Sequence, residues 1–153
     1  METILLRDRP GLSGAEAGTF FGALAAARDS MGDVTRDIAR EYGLGPRGPW
    51  LVALIGRGPI SPNEVADLLN IGRSLVTAEL GQLQDAGLIN HERSSVDKRR
   101  VLLTLTPTGM AVAHRVSDGL VALLDNRLPG YSREEILLVG RVLTDLGGGN
   151  HYG

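Results

Sequence analysis

Apolar residues near the start of the chain recur at intervals of three and four positions, which is the repeat of one face of a helix. Gly43 follows the last of them, and glycine commonly ends helices. The pattern predicts one helix of about six turns whose apolar face needs a partner surface, within its own subunit or on another. The members of this face are Phe20, Leu24, Ala27, Met31, Val34, Ile38 and Tyr42.

Shorter helices are predicted to follow. One lies around residues 50–55, between glycine- and proline-containing segments. The next begins at Ser61, because Pro62 suits the first helical position and Glu64 completes a capping-box pattern with the serine. Another runs from about residue 73 to residue 86, with an inner face of Val76, Leu80 and Leu83. Two short helices joined by a tight turn match a helix-turn-helix.

A β-hairpin and two more helices complete the pattern. Residues 88–89 start a strand, "RSSVDK" is a polar loop, and residues 100–106 alternate as a returning strand. Pro107 then opens a helix, and Ser132 caps the last one with Glu135 as its capping-box partner. We therefore predict a mainly α protein with a small β-hairpin, in which a winged helix-turn-helix lies between N- and C-terminal helices.

Composition narrows the possible classes of protein. The 153 residues suffice for one domain with a hydrophobic core, and 42% apolar with 22% charged residues is typical of a globular protein. The chain has no cysteine, which excludes disulfides, thiolate metal sites and thiol redox chemistry. No apolar run approaches the roughly 18 residues of a membrane span, and the N-terminus lacks signal-peptide features. We therefore expect a cytoplasmic protein with no membrane partner.

Positive charge is concentrated at the predicted hairpin tip. The net charge of −2 argues against general polyanion binding, which phosphate neutralisation drives. Residues 91–100 nevertheless contain four cations and two anions, and Lys98 among them is the only lysine in the chain. A cationic loop suits the narrow minor groove of DNA, where negative potential is enhanced. The alternative is a solvated charged turn that protects a sheet edge.

The segment from Gly58 to Ala113 resembles the MarR family of bacterial transcription regulators. The family pattern has a helix opened by serine or threonine, a recognition helix with a Ser/Thr-rich start, and a leucine before an Ala-Gly-Leu-like end. A wing with Asp-x-Arg and a strand that ends in Leu-Thr-Pro-x-Gly complete it. Here these are Ser61; Ser74 and Thr77; Leu83 with Ala86, Gly87 and Leu88; Asp97 and Arg99; and Leu105 to Gly109. The resemblance covers about residues 16–146.

The recognition helix departs from the family pattern. Ala78 and Gln82 stand where the family usually carries arginine, and Glu79 stands where it usually carries an apolar residue. Gly81 lies in the middle of the helix, where glycine costs about 1 kcal/mol relative to alanine.

The resemblance implies a homodimer in which each subunit presents one winged helix to double-stranded DNA. Residues 16–45 and 107–146 are then dimerisation helices and residues 46–106 the DNA-binding region, between an N-terminal arm (1–15) and a flexible tail (147–153). It also implies a ligand-responsive repressor on a pseudo-palindromic operator. Release of that operator is expected when a small effector, often aromatic or phenolic, binds between the two layers.

Outward positions of the predicted recognition helix are the expected base contacts. Arg73 suits guanine, Gln82 suits adenine, and Thr77 suits a thymine methyl group. Ser74 is expected to bind phosphate or to cap the helix. Ser61 and Asn63, at the start of the preceding helix, are expected to hold phosphate, although capping alone explains Ser61.

In the wing, Lys98, Arg99 and Arg100 are the expected DNA contacts, and Asp97 is expected to orient an arginine through a charge-assisted bond.

Four residues lie on elements that border the family's ligand pocket and are the expected ligand contacts, namely Tyr42, Arg47, Trp50 and His114. The alternative roles are core packing for Trp50, a dimer interface for Tyr42, and an ordinary helix-surface position for His114.

An enzyme is not expected. The three histidines, His91, His114 and His151, lack metal-binding spacing, and no Walker loop, nucleophile elbow or dinucleotide-binding turn occurs. We therefore predict no metal, cofactor or catalytic residue. The alternative function is a winged helix that binds protein instead of DNA. The weakly basic recognition helix favours that alternative, and the cationic wing opposes it.

Overall fold

The computed structural model describes residues 11–148, in two compact units that divide between Asp33 and Val34. Residues 1–10 of the predicted arm and residues 149–153 of the predicted tail, with His151, lie outside the described residues. Helix α1 (Gly14–Tyr42) runs through both units. The other elements are α2 (Gly48–Ile55), α3 (Pro62–Leu69), α4 (Arg73–Asp85), β1 (Ile89–Arg93), β2 (Val101–Leu105), α5 (Pro107–Arg127) and α6 (Arg133–Leu146).

The predicted fold class and element order are confirmed. Helices dominate the described residues, and β1 and β2 pair antiparallel as the hairpin that follows the helix-turn-helix. Ile60, just before α3, forms a further antiparallel bridge with Leu103 of β2. The wing is therefore attached to the chain that enters α3 as well as to α4.

In the first unit, α1 begins with a capping box that the sequence analysis did not identify. Ser13 N–H donates to Glu16 Oε2 at 2.8 Å, and Glu16 N–H donates to Ser13 Oγ at 3.2 Å. Phe20 and Phe21 make an edge-to-face ring contact with centroids 5.4 Å apart. Both rings and Met31 are exposed. Most of the predicted apolar face therefore has no covering partner within this unit.

The end of α1 follows the glycine signal. Gly43 has φ +64°, and Leu44 N–H donates to the Ala39 carbonyl at 2.8 Å. A side chain at this position would be strained, because only glycine adopts left-handed backbone geometry at little cost. Ile38, four residues before the helix end, is buried in the core of the second unit.

The core of the second unit lies where α2 packs against α4, α5 and β2. The predicted inner residues of α4 are all buried there. In α3, Val65 and Ala66 are buried, whereas Leu68 and Leu69 are half-buried. The largest fully buried side chains are Leu51, Val52, Val65, Leu83, Leu88, Leu103, Val112 and Val116.

The Leu105–Gly109 motif joins the wing to α5. Thr106 Oγ1 accepts Gly109 N–H at 3.0 Å, and the same hydroxyl donates to the Gly87 carbonyl at 2.6 Å. A Cβ atom built on Gly109 would lie 1.9 Å from the Leu88 carbonyl oxygen. Glycine is therefore required there by the close approach of two backbones.

Helix α6 begins at the predicted capping box of Ser132 and Glu135, and it has no buried residue. Several of its large apolar side chains are exposed, namely Leu137, Leu138, Val139, Val142, Leu143 and Leu146. Across residues 11–148, no helix is both long enough and apolar enough to cross a membrane.

Candidate nucleic-acid interface

The N-terminus of α3 is built by local hydrogen bonds. Ser61 Oγ accepts Glu64 N–H at 3.2 Å, and Glu64 Oε2 accepts Ser61 N–H at 2.7 Å. Ser61 is buried, so its hydroxyl serves the cap, whereas Asn63 is exposed. Of the two expected phosphate contacts, only Asn63 has an exposed side chain.

An open cleft of about 520 Å³ lies between the start of α3 and the wing. It brings together residues that the sequence analysis placed in two separate groups, the expected phosphate contacts and the expected wing contacts. Its lining residues are Ser61, Pro62, Asn63, Asp97, Arg99, Arg100 and Val101.

Hydrogen bonds from side chains to the backbone shape the wing tip. Ser94 Oγ accepts the N–H groups of Val96 and Asp97 at 3.2 and 3.3 Å. Arg93 Nη1 donates to the Lys98 carbonyl at 3.0 Å. Neither Ser94 nor Arg93 was predicted from the sequence to act in this loop. A serine directly after a strand is a turn signal, and this signal could have identified Ser94.

The carboxylate of Asp97 bonds to backbone within the wing. Its Oδ1 accepts Arg99 N–H at 3.0 Å, the geometry of an Asx turn, and its carbonyl accepts Arg100 N–H at 2.9 Å. The expected bond to an arginine side chain is replaced here by one to the backbone, because the amide of Arg99 is only two residues away. Lys98 and Arg99 are exposed on this turn.

Arg100 forms an ion pair with Glu64 of α3. The Ser61 backbone N–H and then the Arg100 guanidinium hold the pKa of the Glu64 carboxyl below its ordinary value. Arg100, which was expected to contact DNA, is thus bound to helix α3 in this structure.

Helix α4 presents all four predicted base contacts as exposed residues, namely Arg73, Ser74, Thr77 and Gln82. Its N-cap residue is Gly72, without a side-chain capping bond, so Ser74 does not cap the helix. Thr77 Oγ1 donates to the Arg73 carbonyl at 2.9 Å.

Two side chains of α4, one of them the exposed Gln82, contact the turn between α1 and α2. Gln82 Oε1 accepts Gly45 N–H at 3.3 Å, and Glu79 Oε1 pairs with Arg47 Nη1 at 3.2 Å. Glu79 is buried, and its Oε2 atom has no hydrogen-bond partner among the described residues. The departure from the family pattern at Glu79 is accommodated by Arg47, one of the residues expected to bind a ligand.

The remaining expected ligand contacts are spread over three helices. Tyr42, at the end of α1, is half-buried against the core, and Trp50 in α2 is half-buried. His114 is exposed on α5. Within residues 11–148, no three His, Cys, Asp or Glu side chains are grouped so as to hold a metal ion.

Comparison with known proteins finds a family likeness in the middle of the chain. A family model described as the MarR family matches residues 42–100, from the end of α1 to the wing. The match includes α2, the helix-turn-helix and the wing cations.

Curated relatives match over a similar stretch. PecS of Dickeya dadantii (strain 3937), described as an HTH-type transcriptional regulator, is 33% identical over 87 residues, 54% of this chain and 52% of PecS. The chain spans about half the length of the curated relatives it matches.

Solved structures share the fold. Streptococcus pneumoniae FabT, solved in complex with DNA, has a TM-score of 0.66 and 24% identity over 86% of this chain and 95% of FabT. NadR, solved in complex with 4-hydroxyphenylacetate, has a TM-score of 0.70 and 24% identity over 90% of this chain and 95% of NadR. These likenesses establish the winged-helix fold of the chain.

Proposed function

We propose that this protein is a homodimeric transcriptional regulator of the MarR family that binds DNA sequence-specifically. The observation that carries the proposal is the cleft where the cationic wing meets the N-terminus of α3, beside the exposed side chains of α4. Arginine side chains and helix N-termini are the groups that proteins use to hold phosphate. The FabT complex with DNA supports the same use of this fold.

The exposed side chains divide between the two grooves in this proposal. Lys98 and Arg99 enter the minor groove, and Arg73, Ser74 and Thr77 face base edges in the major groove. Gln82 reads adenine only if its side chain gives up the bond to the Gly45 amide. Its first role is therefore to hold the position of α4 through that bond.

A homodimer accounts for apolar surfaces that the chain does not cover itself. Apolar side chains of α6 and of the first half of α1 are exposed, and large exposed apolar patches mark protein interfaces. Residues 16–45 and 107–146 are then the dimerisation helices, and residues 46–106 bind DNA. A two-fold dimer binds a pseudo-palindromic operator with half-sites about one helical turn apart, roughly 34 Å.

The proposal also includes a cytoplasmic location and repression of transcription. Binding of a small effector relieves this repression. NadR was solved with 4-hydroxyphenylacetate, which supports an aromatic or phenolic effector for this chain. Such a ligand releases DNA only if it binds a DNA-incompetent geometry of the dimer more tightly than the competent one. Tyr42, Arg47, Trp50 and His114 are its proposed contacts.

Selection of genomic DNA fragments with the purified protein tests the proposal. We expect a short inverted repeat to be enriched. The logarithm of its binding constant should fall linearly with the logarithm of the salt concentration, with a slope of about −0.9 for each phosphate neutralised. Arg99→Ala is expected to weaken binding and to flatten that dependence. Unchanged affinity and slope in this variant would contradict the wing assignment.

A second candidate function is a winged helix that binds another protein. It is favoured by the charge of α4, which carries one basic residue, Arg73, and two acidic residues, Glu79 and Asp85. Failure to enrich any fragment, with weak binding even at low salt, would favour this function over DNA binding.

A further inference from the structure

The three consecutive cations of the wing differ in what their side chains contact. Arg100 pairs with Glu64, whereas no ion pair joins Lys98 or Arg99 to another side chain within residues 11–148. Position in the sequence does not distinguish these cations, but their environments do.

The acidic partner of Arg100 is held in place before the pair forms. Glu64 Oε2 accepts the Ser61 N–H at 2.7 Å, and Oε1 is the atom that pairs with Arg100 Nη2. A surface ion pair usually contributes little because two long side chains must be ordered at once. Here the capping box has already ordered one of them, so the pair can fix the position of the other.

The same short segment also holds the base of the wing. Leu103 N–H donates to the Ile60 carbonyl at 2.7 Å, and Ile60 N–H donates to the Leu103 carbonyl at 3.4 Å. Residues 60–64 therefore contact the wing twice, through the backbone at Leu103 and through a side chain at Arg100. Two attachments restrain the direction of the wing relative to α3, where one would act as a hinge.

We infer that Arg100 is a positioning residue, which sets the direction of the wing through Glu64 and leaves Lys98 and Arg99 as the DNA contacts of the wing. This inference rests on the proposed function, because it divides roles within the proposed interface. Arg100 paired with Glu64 adds no net charge. It therefore does not count among the cations that neutralise phosphate, unlike its neighbours.

The first experiment measures two quantities separately, the affinity for DNA and the number of phosphates that the protein neutralises. The probe is a duplex that the wild-type protein selects from random-sequence DNA, titrated at several salt concentrations. Arg99→Ala is expected to reduce the salt slope by about 0.9, the value for one lost phosphate contact. Arg100→Ala is expected to lower affinity about two- to fivefold, in proportion to one ordered surface ion pair, and to leave the slope unchanged.

The second experiment observes the wing without DNA. Val96 at the wing tip is 94% exposed and the chain has no cysteine, so Val96→Cys gives a single labelling site for a fluorescent dye. We expect Arg100→Ala to increase the local motion of the dye in an anisotropy decay. Lys98→Ala, which removes the only lysine two residues away, is the matched control and is expected to leave that motion unchanged. Thermal melting of each variant checks that the fold is retained.

The outcomes are distinct. A salt slope reduced by about 0.9 in Arg100→Ala would mean a direct phosphate contact and would overturn the inference. Unchanged affinity and unchanged dye motion in that variant would overturn it as well. If no duplex is selected, the proposed function fails, and the dye measurement still decides whether Arg100 restrains the wing.

Discussion

At the scale of single residues, Glu79 places a carboxylate against the core side of α4 with one ionic partner, the half-exposed Arg47. We expect Arg47→Ala to lower the free energy of unfolding by about 1–3 kcal/mol, because it leaves a buried carboxylate without its donor. Glu79→Met removes the charge together with its desolvation cost, so its stability is expected to lie within about 1 kcal/mol of the wild type or above it. Urea unfolding of both variants measures the contrast. Equal stability of Arg47→Ala and the wild type would show that the pair contributes nothing.

Gly109 and Gly81 offer a second contrast between single residues. A Cβ atom on Gly109 meets the Leu88 carbonyl oxygen, whereas one on Gly81, inside α4, meets no atom within 4 Å. We expect Gly109→Ala to destabilise the fold by several kcal/mol, on the order of 3, because backbone must move. Gly81→Ala is expected to stabilise it by about 0.5–1 kcal/mol through helix propensity. Thermal unfolding compares the two, and a neutral Gly109→Ala would contradict the close backbone approach.

At the scale of elements, the junction of α3 and the wing is expected to depend on pH through Glu64. The folded state lowers the pKa of this carboxyl, so its stabilising contribution is present above the ordinary pKa and fades as pH falls through the lowered value. Glu64→Gln keeps an acceptor for the capping box but has no charge. The stability difference between wild type and this variant should be present at neutral pH and shrink once the pH falls below the ordinary pKa of a glutamate side chain. A difference independent of pH would exclude the ionised carboxylate as its source.

The elements also mark what the sequence can and cannot predict. Helix starts at Ser61 and Ser132 and the helix end at Gly43 depend on signals within three or four residues, and all three are confirmed. The contacts of Gln82, Glu79 and Arg100 join residues 37, 32 and 36 positions apart, so no local pattern announces them. Gln82 and Arg100, which were expected to contact DNA, therefore have intramolecular partners that only the structure reveals.

At the scale of the whole molecule, the proposed homodimer uses the exposed apolar face of α6 and would carry two winged helices. Leu138 and Val142 are four residues apart and both exposed, so they lie on one side of the helix. We expect the double variant Leu138→Glu and Val142→Glu to be monomeric by light scattering, because buried unpaired carboxylates at an interface are strongly unfavourable. Arg133→Glu, nine residues before Val142 and therefore on the opposite side of the same helix, is the control and should remain a dimer.

Loss of the dimer is expected to weaken DNA binding without any change in the wing or in α4. Two linked half-site contacts gain from effective concentration, so the monomeric variant should bind the selected inverted repeat at least about a hundredfold more weakly than the wild type. Its affinity for a single half-site should match that of the wild-type protein on the same half-site duplex. A double variant that stays dimeric, or a monomer that retains full affinity for the repeat, would contradict the assignment of α6 to dimerisation. Equal half-site affinities would instead place the whole loss in the missing second subunit.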